Sequence, residues 1–293
     1  MRQISPGQFR GRIEYLQVNG ILIYREHYTH RVMGAGATPS GYFMFGSPAS
    51  PEYDITWCGE GVRQERVAFS RSSAEVDFVI PEGSRHVVVL VPEDKLLGYL
   101  DDGHREQLAA KERRHLLCGK RLGNGLITTI HRLIDDFSTN PELLASDTLR
   151  TALEWQLLGT LVQASQAGEG DPERVPRRTR RLAFLRAIDY AEDIRRPING
   201  PELAKVAGVS RRTLELSFAE FLGISPARFL RWHRMHRVRS DLLVAEPGAT
   251  RVKHAAAQWG FTEMGRFAVE YKRLFGESPS ETLVRKVSKP SVR

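Results

Sequence analysis

A unit of roughly fifty residues occurs twice in the C-terminal part of this 293-residue chain. Residues 221–226 (FLGISP) and 274–279 (LFGESP) match in pattern at an offset of 53. Residues 207–210 (AGVS) and 259–262 (WGFT) match at an offset of 52. A repeat of this length means one supersecondary motif used twice, which excludes most single-domain architectures for this half of the chain.

The motif reads as helix, short glycine turn, helix. In the first copy, Asn199 and Glu202 stand at capping-box spacing and open a helix whose apolar face is Leu203, Ala204 and Ala207. Gly208 supplies the tight turn, and Ser210 caps a second helix whose inward face is Leu214, Phe218 and Phe221. Small residues at 204 and 207 let the second helix cross closely over the first, as in a helix-turn-helix. In the second copy Ala255 and Ala256 play that part, Gly260 makes the turn and Thr262 is the expected cap. Phe267, Tyr271 and Phe275 then face inward, and Ser278 with Glu281 forms another capping box. Between the copies, Ser225-Pro226 starts a long helix through about Val244 that carries Arg228, Arg231, Arg234, Arg237 and Arg239.

Charge divides the chain in the same place. Residues 1–170 hold 18 Lys/Arg against 21 Asp/Glu, whereas residues 171–293 hold 25 against 14, so the formal net charge of +8 belongs to the C-terminal part. Such asymmetry points to a polyanionic partner for one half only. Cys58 and Cys118 are the only cysteines, which excludes a disulfide scaffold or zinc ribbon and fits a reducing cytoplasm. No run approaches the roughly 18 apolar residues of a membrane span, and the first residues lack the apolar core of a secretory signal.

The N-terminal half begins with strands. Asn19-Gly20 between two β-branched runs is a hairpin signal, and short runs at GYFMF, DITW, RVAFS, EVDFVI and HVVVLV follow before residue 92. From residue 93 to about 164 the period becomes helical. Leu126, Ile130 and Ile134 form one apolar stripe, and Leu149, Leu153, Leu157 and Leu161 another, with a break at Pro141. Each stripe either packs on its own domain or seals a helix-pair dimer. Residues 166–181 (QAGEGDPERVPRRTRR) have the composition of a linker.

Residues 182–285 resemble the DNA-binding domain of AraC/XylS-type transcriptional regulators. The resemblance rests on LAKVAGVSRRTLELSF, GISPARFLRWHRMHRV and AAAQWGFTEMGRFAVEYKRLFGESP. It implies an α+β chain of two domains: a cupin-like β-barrel with dimerisation helices over residues 1–165 (strands 9–91, helices 93–165), then an all-α double helix-turn-helix over 182–293. It further implies two readers in successive major-groove segments of double-stranded DNA, about one helical turn apart. RNA polymerase and a second copy of the chain would be partners, and the protein would be an activator. By position, the first reader presents Arg211, Arg212, Thr213, Glu215 and Leu216. Arg212 suits guanine O6 and N7, and Glu215 a cytosine amino group. The second presents Glu263, Met264, Gly265, Arg266, Ala268 and Val269. Few hydrogen bonds to bases are available there, so shape readout and thymine-methyl contacts are expected. Lys272, Arg273 and the arginines of the connecting helix are the expected phosphate contacts.

The N-terminal half offers no cofactor or metal motif: His27 and His30 stand at a spacing that a strand sends to opposite faces, and no nucleophile has a base at motif spacing. A cupin-type enzyme with a DNA-binding tail is therefore the weaker alternative, beside a constitutive DNA-binding protein without an effector. Arg63, Arg66 and Arg71, with Arg25 and Arg31 of the first hairpin region, suit an anionic effector such as a nucleotide messenger, cyclic di-GMP among them. The other reading of these arginines is ion pairing with nearby Glu and Asp.

Overall fold

The computed structural model describes residues 1–49, 52–62, 66–110, 114–118, 122–166, 178–245 and 251–284. Contacts divide the chain into two units, Met1 with Arg10–Val175 and Arg2–Phe9 with Pro176–Arg293. The first strand, β1 (Arg2–Gln3), thus falls in the second unit.

In the first unit, β2 (Gly11–Val18) and β3 (Ile21–Tyr28) form the hairpin expected from Asn19-Gly20. Both turn residues take positive φ, 48° and 85°, and Val18 pairs with Ile21. This two-residue turn matches the right-handed twist of the strands it joins. There follow β4 (Val32–Ala37), β5 (Tyr42–Pro48), β6 (Ile55–Trp57), β7 (Glu60–Val62), β8 (Arg66–Ser70), β9 (Glu75–Ile80) and β10 (Arg85–Pro92). Then come α1 (Glu93–Tyr99), α2 (Asp102–Ala110), β11 (Arg114–Cys118), α3 (Leu122–Thr139), a 3-10 turn at Pro141–Ala145 and α4 (Asp147–Gln166).

Two antiparallel sheets result, one in the order β11-β8-β5-β10-β3-β2, the other carrying β4-β9-β6-β7. They do not close into the single ring that a barrel requires, although the arrangement is compatible with a cupin-like fold. The strand β11 interrupts a stretch whose sequence reads as helical. It pairs with β8, whose backbone groups would otherwise be an open edge of the sheet.

The helical stripes are core except at Leu149, which opens the second stripe and is 40% exposed. Val87, Val89 and Val91 on β10 share one buried cluster with Leu126, Ile130 and Ile134 of α3 and with Leu157 and Leu161 of α4. Leu153 packs against its margin. Of the two uses open to these stripes, burial against the sheet prevails, because α3 and α4 lie on a face of β-branched residues that would otherwise be wet.

The second unit is helical: α5 (Arg178–Asp193), α6 (Gly200–Ala207), α7 (Arg211–Leu222), α8 (Pro226–Val244), α9 (Val252–Gln258), α10 (Met264–Phe275) and α11 (Pro279–Val284). Residues 167–177, most of the segment read as a linker, lie outside the described residues. The two copies of the motif have similar cores. Phe184, Phe218, Phe221 and Phe229 stack in the first, with centroids 5.1–5.3 Å apart. Phe261, Phe267, Tyr271 and Phe275 stack in the second, 4.6–5.5 Å apart.

Candidate nucleic-acid interface

The ends of the helices in both copies are built locally. Asn199 Oδ1 accepts from the Glu202 amide at 2.9 Å, and Ser210 Oγ accepts from the Thr213 amide at 3.1 Å. Such caps satisfy amides that the helix itself leaves without partners. Between them Gly208 takes the left-handed conformation (φ 68°) that a side chain would resist. Glu202 bonds back to the Asn199 backbone amide as a capping box does, and Arg196 and the Tyr190 hydroxyl hold the same carboxyl, which together bring it down to about 2. The second copy departs from this pattern. Its cap is Glu263, which makes no side-chain bond, so Thr262 does not cap α10.

On α7, Arg211, Arg212, Glu215 and Leu216 are exposed, around the buried Leu214, Ser217 and Phe218. Arg211 Nε donates to Glu215 Oε1 at 3.1 Å, a pair one helical turn apart. Arg212 makes no such bond among the described residues. Thr213 is half-buried and serves the cap, exchanging a 3.0 Å hydroxyl bond with Ser210. On α10, Glu263 before the helix, Gly265, Arg266, Lys272 and Arg273 are exposed, and Val269 is 71% exposed. Met264 is half-buried against the core of the second copy, which leaves Val269 the better placed for a thymine methyl.

Most arginines of α8 are spent inside the unit. Arg231 pairs with Glu270, which also accepts from Arg266 at 2.9 Å. Burial alone would raise the Glu270 carboxyl, but Arg231 and Arg266 hold it below the usual carboxylate range. Arg231 and Arg234 lie over the Phe261 ring at 5.7 and 5.2 Å, Arg237 over Trp259 at 5.9 Å and Arg239 over Phe275 at 5.0 Å. Guanidinium groups stacked on rings fasten α8 to the second copy. Of the five, only Arg228 is exposed, so the phosphate contacts expected along this helix reduce to that one side chain. It borders a groove of about 400 Å³ with Arg231, Trp232, Arg266 and Arg273.

The arginines read as an effector grip are dispersed. Arg25 donates to Glu14 and Asp135, both at 2.7 Å, and lines a polar cleft with Arg12, Arg85 and His131. Arg66 donates to the Gly61 carbonyl at 3.2 Å, and neither it, Arg31 nor Arg71 lines that cleft. Arg63 lies outside the described residues.

A different feature escaped the sequence. Between the sheets lies a cavity of about 280 Å³, walled by Met44, Ile55, Val62, Val76, Phe78 and Val88 among others, with no Lys or Arg side chain in its lining among the described residues. The Phe78 ring lies across Gly34, where a Cβ would come 2.8 Å from its Cε2. His86 and Glu26 are hydrogen-bonded at its wall, and Tyr28 packs 5.6 Å from the His86 ring. Trp57, from the facing sheet, completes the polar members, with Tyr24 and Ser47.

Comparison with known proteins bears on the helical part. A family model described as a helix-turn-helix domain matches residues 203–285. The probable thc operon regulatory protein of Rhodococcus erythropolis is 45% identical over 98 residues, 33% of this chain and 30% of that protein. The XylDLEGF operon transcriptional activator 1 of Pseudomonas putida is 30% identical over 135 residues, 46% of this chain and 38% of that one. The match therefore spans about a third of the length of these relatives. Among solved structures, the AraC-like transcriptional activator CuxR covers 85% of this chain and 86% of its own at 14% identity, with a TM-score of 0.42. Two glycine turns, each followed by a helix with an exposed basic side chain, the family match and the similarity to the two operon regulators agree: the C-terminal part of this chain is a helix-turn-helix domain of the AraC/XylS type of transcriptional regulators.

Proposed function

We propose that the whole chain is a transcription regulator, an activator by similarity to the xyl operon relatives, that places α7 and α10 against one face of duplex DNA. The observation that carries this reading is the set of exposed basic side chains on two equivalent helices: Arg211 and Arg212 on the first, Arg266, Lys272 and Arg273 on the second. Arg212 and Glu215 read base edges, Val269 and Leu216 meet thymine methyls, and Lys272 and Arg273 hold phosphates. The N-terminal unit senses an effector, and binding there shifts the population of DNA-competent arrangements. RNA polymerase and a second copy of the chain are its partners, and it works in the cytoplasm. The relatives are regulators, and no observation favours the enzyme reading. A cyclic dinucleotide is not carried forward as the effector, because the cavity between the sheets is mainly apolar and no guanidinium lines it among the described residues.

Titration of the full chain with duplex DNA at several salt concentrations tests the reading. Lys272, Arg273 and Arg228 on phosphates give a slope of about −3 in log K against log salt. Affinity that does not change with salt would overturn it.

A further inference from the structure

The cavity between the sheets holds two polar atoms that the protein leaves without partners. Trp57 and His86 are each only 6% exposed. The indole Nε1 of Trp57 and the Nδ1 of His86 are buried and make no hydrogen bond. They come from opposite walls, Trp57 on β6 and His86 on β10, and both side chains line the same space. Buried donors left unmatched are uncommon in native proteins and mark either strain or a missing partner. The space of about 280 Å³ between them is walled mostly by apolar side chains, so a molecule that fills it gains contacts that water does not make.

Water is a poor occupant. Glu26, Ser47 and His86 of the same lining have atoms for a water or two, but most of the space faces Met44, Ile55, Val62, Val76 and Phe78, where water falls short of the roughly three hydrogen bonds that a buried one ordinarily makes. An anion is disfavoured: among the described residues the lining carries no Lys or Arg side chain, and the Glu26 carboxylate is part of it, although Met1 with its terminal ammonium is there too. A cation fares no better, since Glu26 is already engaged by His86 and by the Tyr28 hydroxyl. What remains is an uncharged molecule. A cavity of about 150 Å³ takes a benzene, so this one admits a substituted single ring or a fused pair.

We propose that the inter-sheet cavity binds an uncharged, mainly apolar ring compound whose single acceptor, such as a carbonyl oxygen, receives the Trp57 N–H. With Nε2–H of His86 donating to Glu26, Nδ1 is an acceptor that rewards a donor on the same ligand. This deepens the effector-sensing role proposed above and rests on it only for its regulatory meaning, not for binding.

Three probes of like size separate the possibilities when titrated calorimetrically into the full chain: acetophenone, ethylbenzene and benzoate. Acetophenone should bind, ethylbenzene about three- to tenfold more weakly for want of the acceptor, and benzoate not measurably. Trp57→Phe should bind acetophenone and ethylbenzene alike. Gly46→Leu should abolish both: Gly46 lines the cavity, and a Cβ there meets only ordinary contacts, 3.7 Å from the Val87 carbonyl and 3.9 Å from Val88 Cγ2. Benzoate binding as tightly as acetophenone, equal affinity for acetophenone and ethylbenzene in the unaltered protein, or no binding of any probe overturns the proposal. Salt-dependent DNA binding, measured on the same preparation, is independent of this outcome. Its loss with probe binding intact would refute the regulator reading and leave the site.

Discussion

Gly276, at the end of α10, meets Gln8 so closely that a Cβ on the glycine would lie 2.6 Å from Gln8 Cβ and 2.9 Å from its backbone nitrogen. The two residues are 268 positions apart, yet their segments fasten at several points. Gly7 N donates to the Leu274 carbonyl at 3.1 Å, Gln3 Nε2 donates to the same oxygen at 2.9 Å, and His236 bonds the Gln3 carbonyl at 2.8 Å.

This fastening alters an expectation about fragments. From sequence, residues 175–293 make a domain that folds and binds DNA alone. In the structure Arg2–Phe9 belong to the same unit and bring the buried Gln3 and Ile4 with them. A 176–293 fragment should therefore gain stability, by about 2 kcal/mol at saturation, when a peptide of residues 1–9 is added in trans. A Gln3→Ala peptide should do so less. Thermal midpoints that ignore the peptide would remove residues 2–9 from the folding unit.

Gly276 itself has φ 74°, so Gly276→Ala carries both the left-handed penalty and the approach to Gln8. A loss of about 1–3 kcal/mol in urea unfolding is expected. A change below about 0.5 kcal/mol would mean that the Gln8 backbone yields.

Acid should weaken the same unit. Burial, with Arg2 and Arg237 nearby, pushes His233 down to about 3, and burial likewise lowers His236 to about 4 despite its bond to Gln3. An unfolded histidine takes a proton near pH 6.5, so the folded state is favoured above that value. The advantage is lost as pH falls from 6.5 toward 3–4, about 2 kcal/mol by pH 5 for His233 alone. Stability measured at pH 7 and pH 5 should differ less in His233→Leu than in the unaltered chain. An unchanged difference would assign the acid loss elsewhere.

Base reading and backbone contact should separate by mutation. Arg212→Ala is expected to cost about 1–3 kcal/mol on the preferred site and to relax specificity there. Arg273→Ala should weaken all sequences alike and reduce the salt slope by about one. Two mutants with the same profile on specific and random duplexes would overturn these roles.

Leu157 is fully buried in the core beneath the sheet, while Trp155 on the same helix is 59% exposed and edge-on to Tyr99 at 5.3 Å. Leu153 and Leu157 changed together to Glu should unfold the N-terminal unit, since a charge cannot be buried there without a partner. Trp155→Glu should leave it folded. A folded double mutant would return the stripe to the surface.

The features legible in the sequence are those whose physics is short in range. A cap needs a side chain and an amide three residues on, as at Asn199 and Ser210; a hairpin needs only Asn19 and Gly20; an apolar helix face shows as a period of three to four. The repeat multiplied these signals, so the helix-turn-helix pair and its exposed arginines could be read directly. Side chains that meet across long separations could not. The same Arg-x-x-Arg spacing along α8 serves a phosphate or an aromatic ring, and only the positions of Phe261, Trp259 and Phe275 decided for the ring. The cavity depends on two sheets whose facing strands place Trp57 opposite His86, and no spacing along the chain encodes that. Arg2–Phe9 joined a unit that begins again at Pro176, because a short extended segment has no periodicity and takes its place from the groove that accepts its backbone.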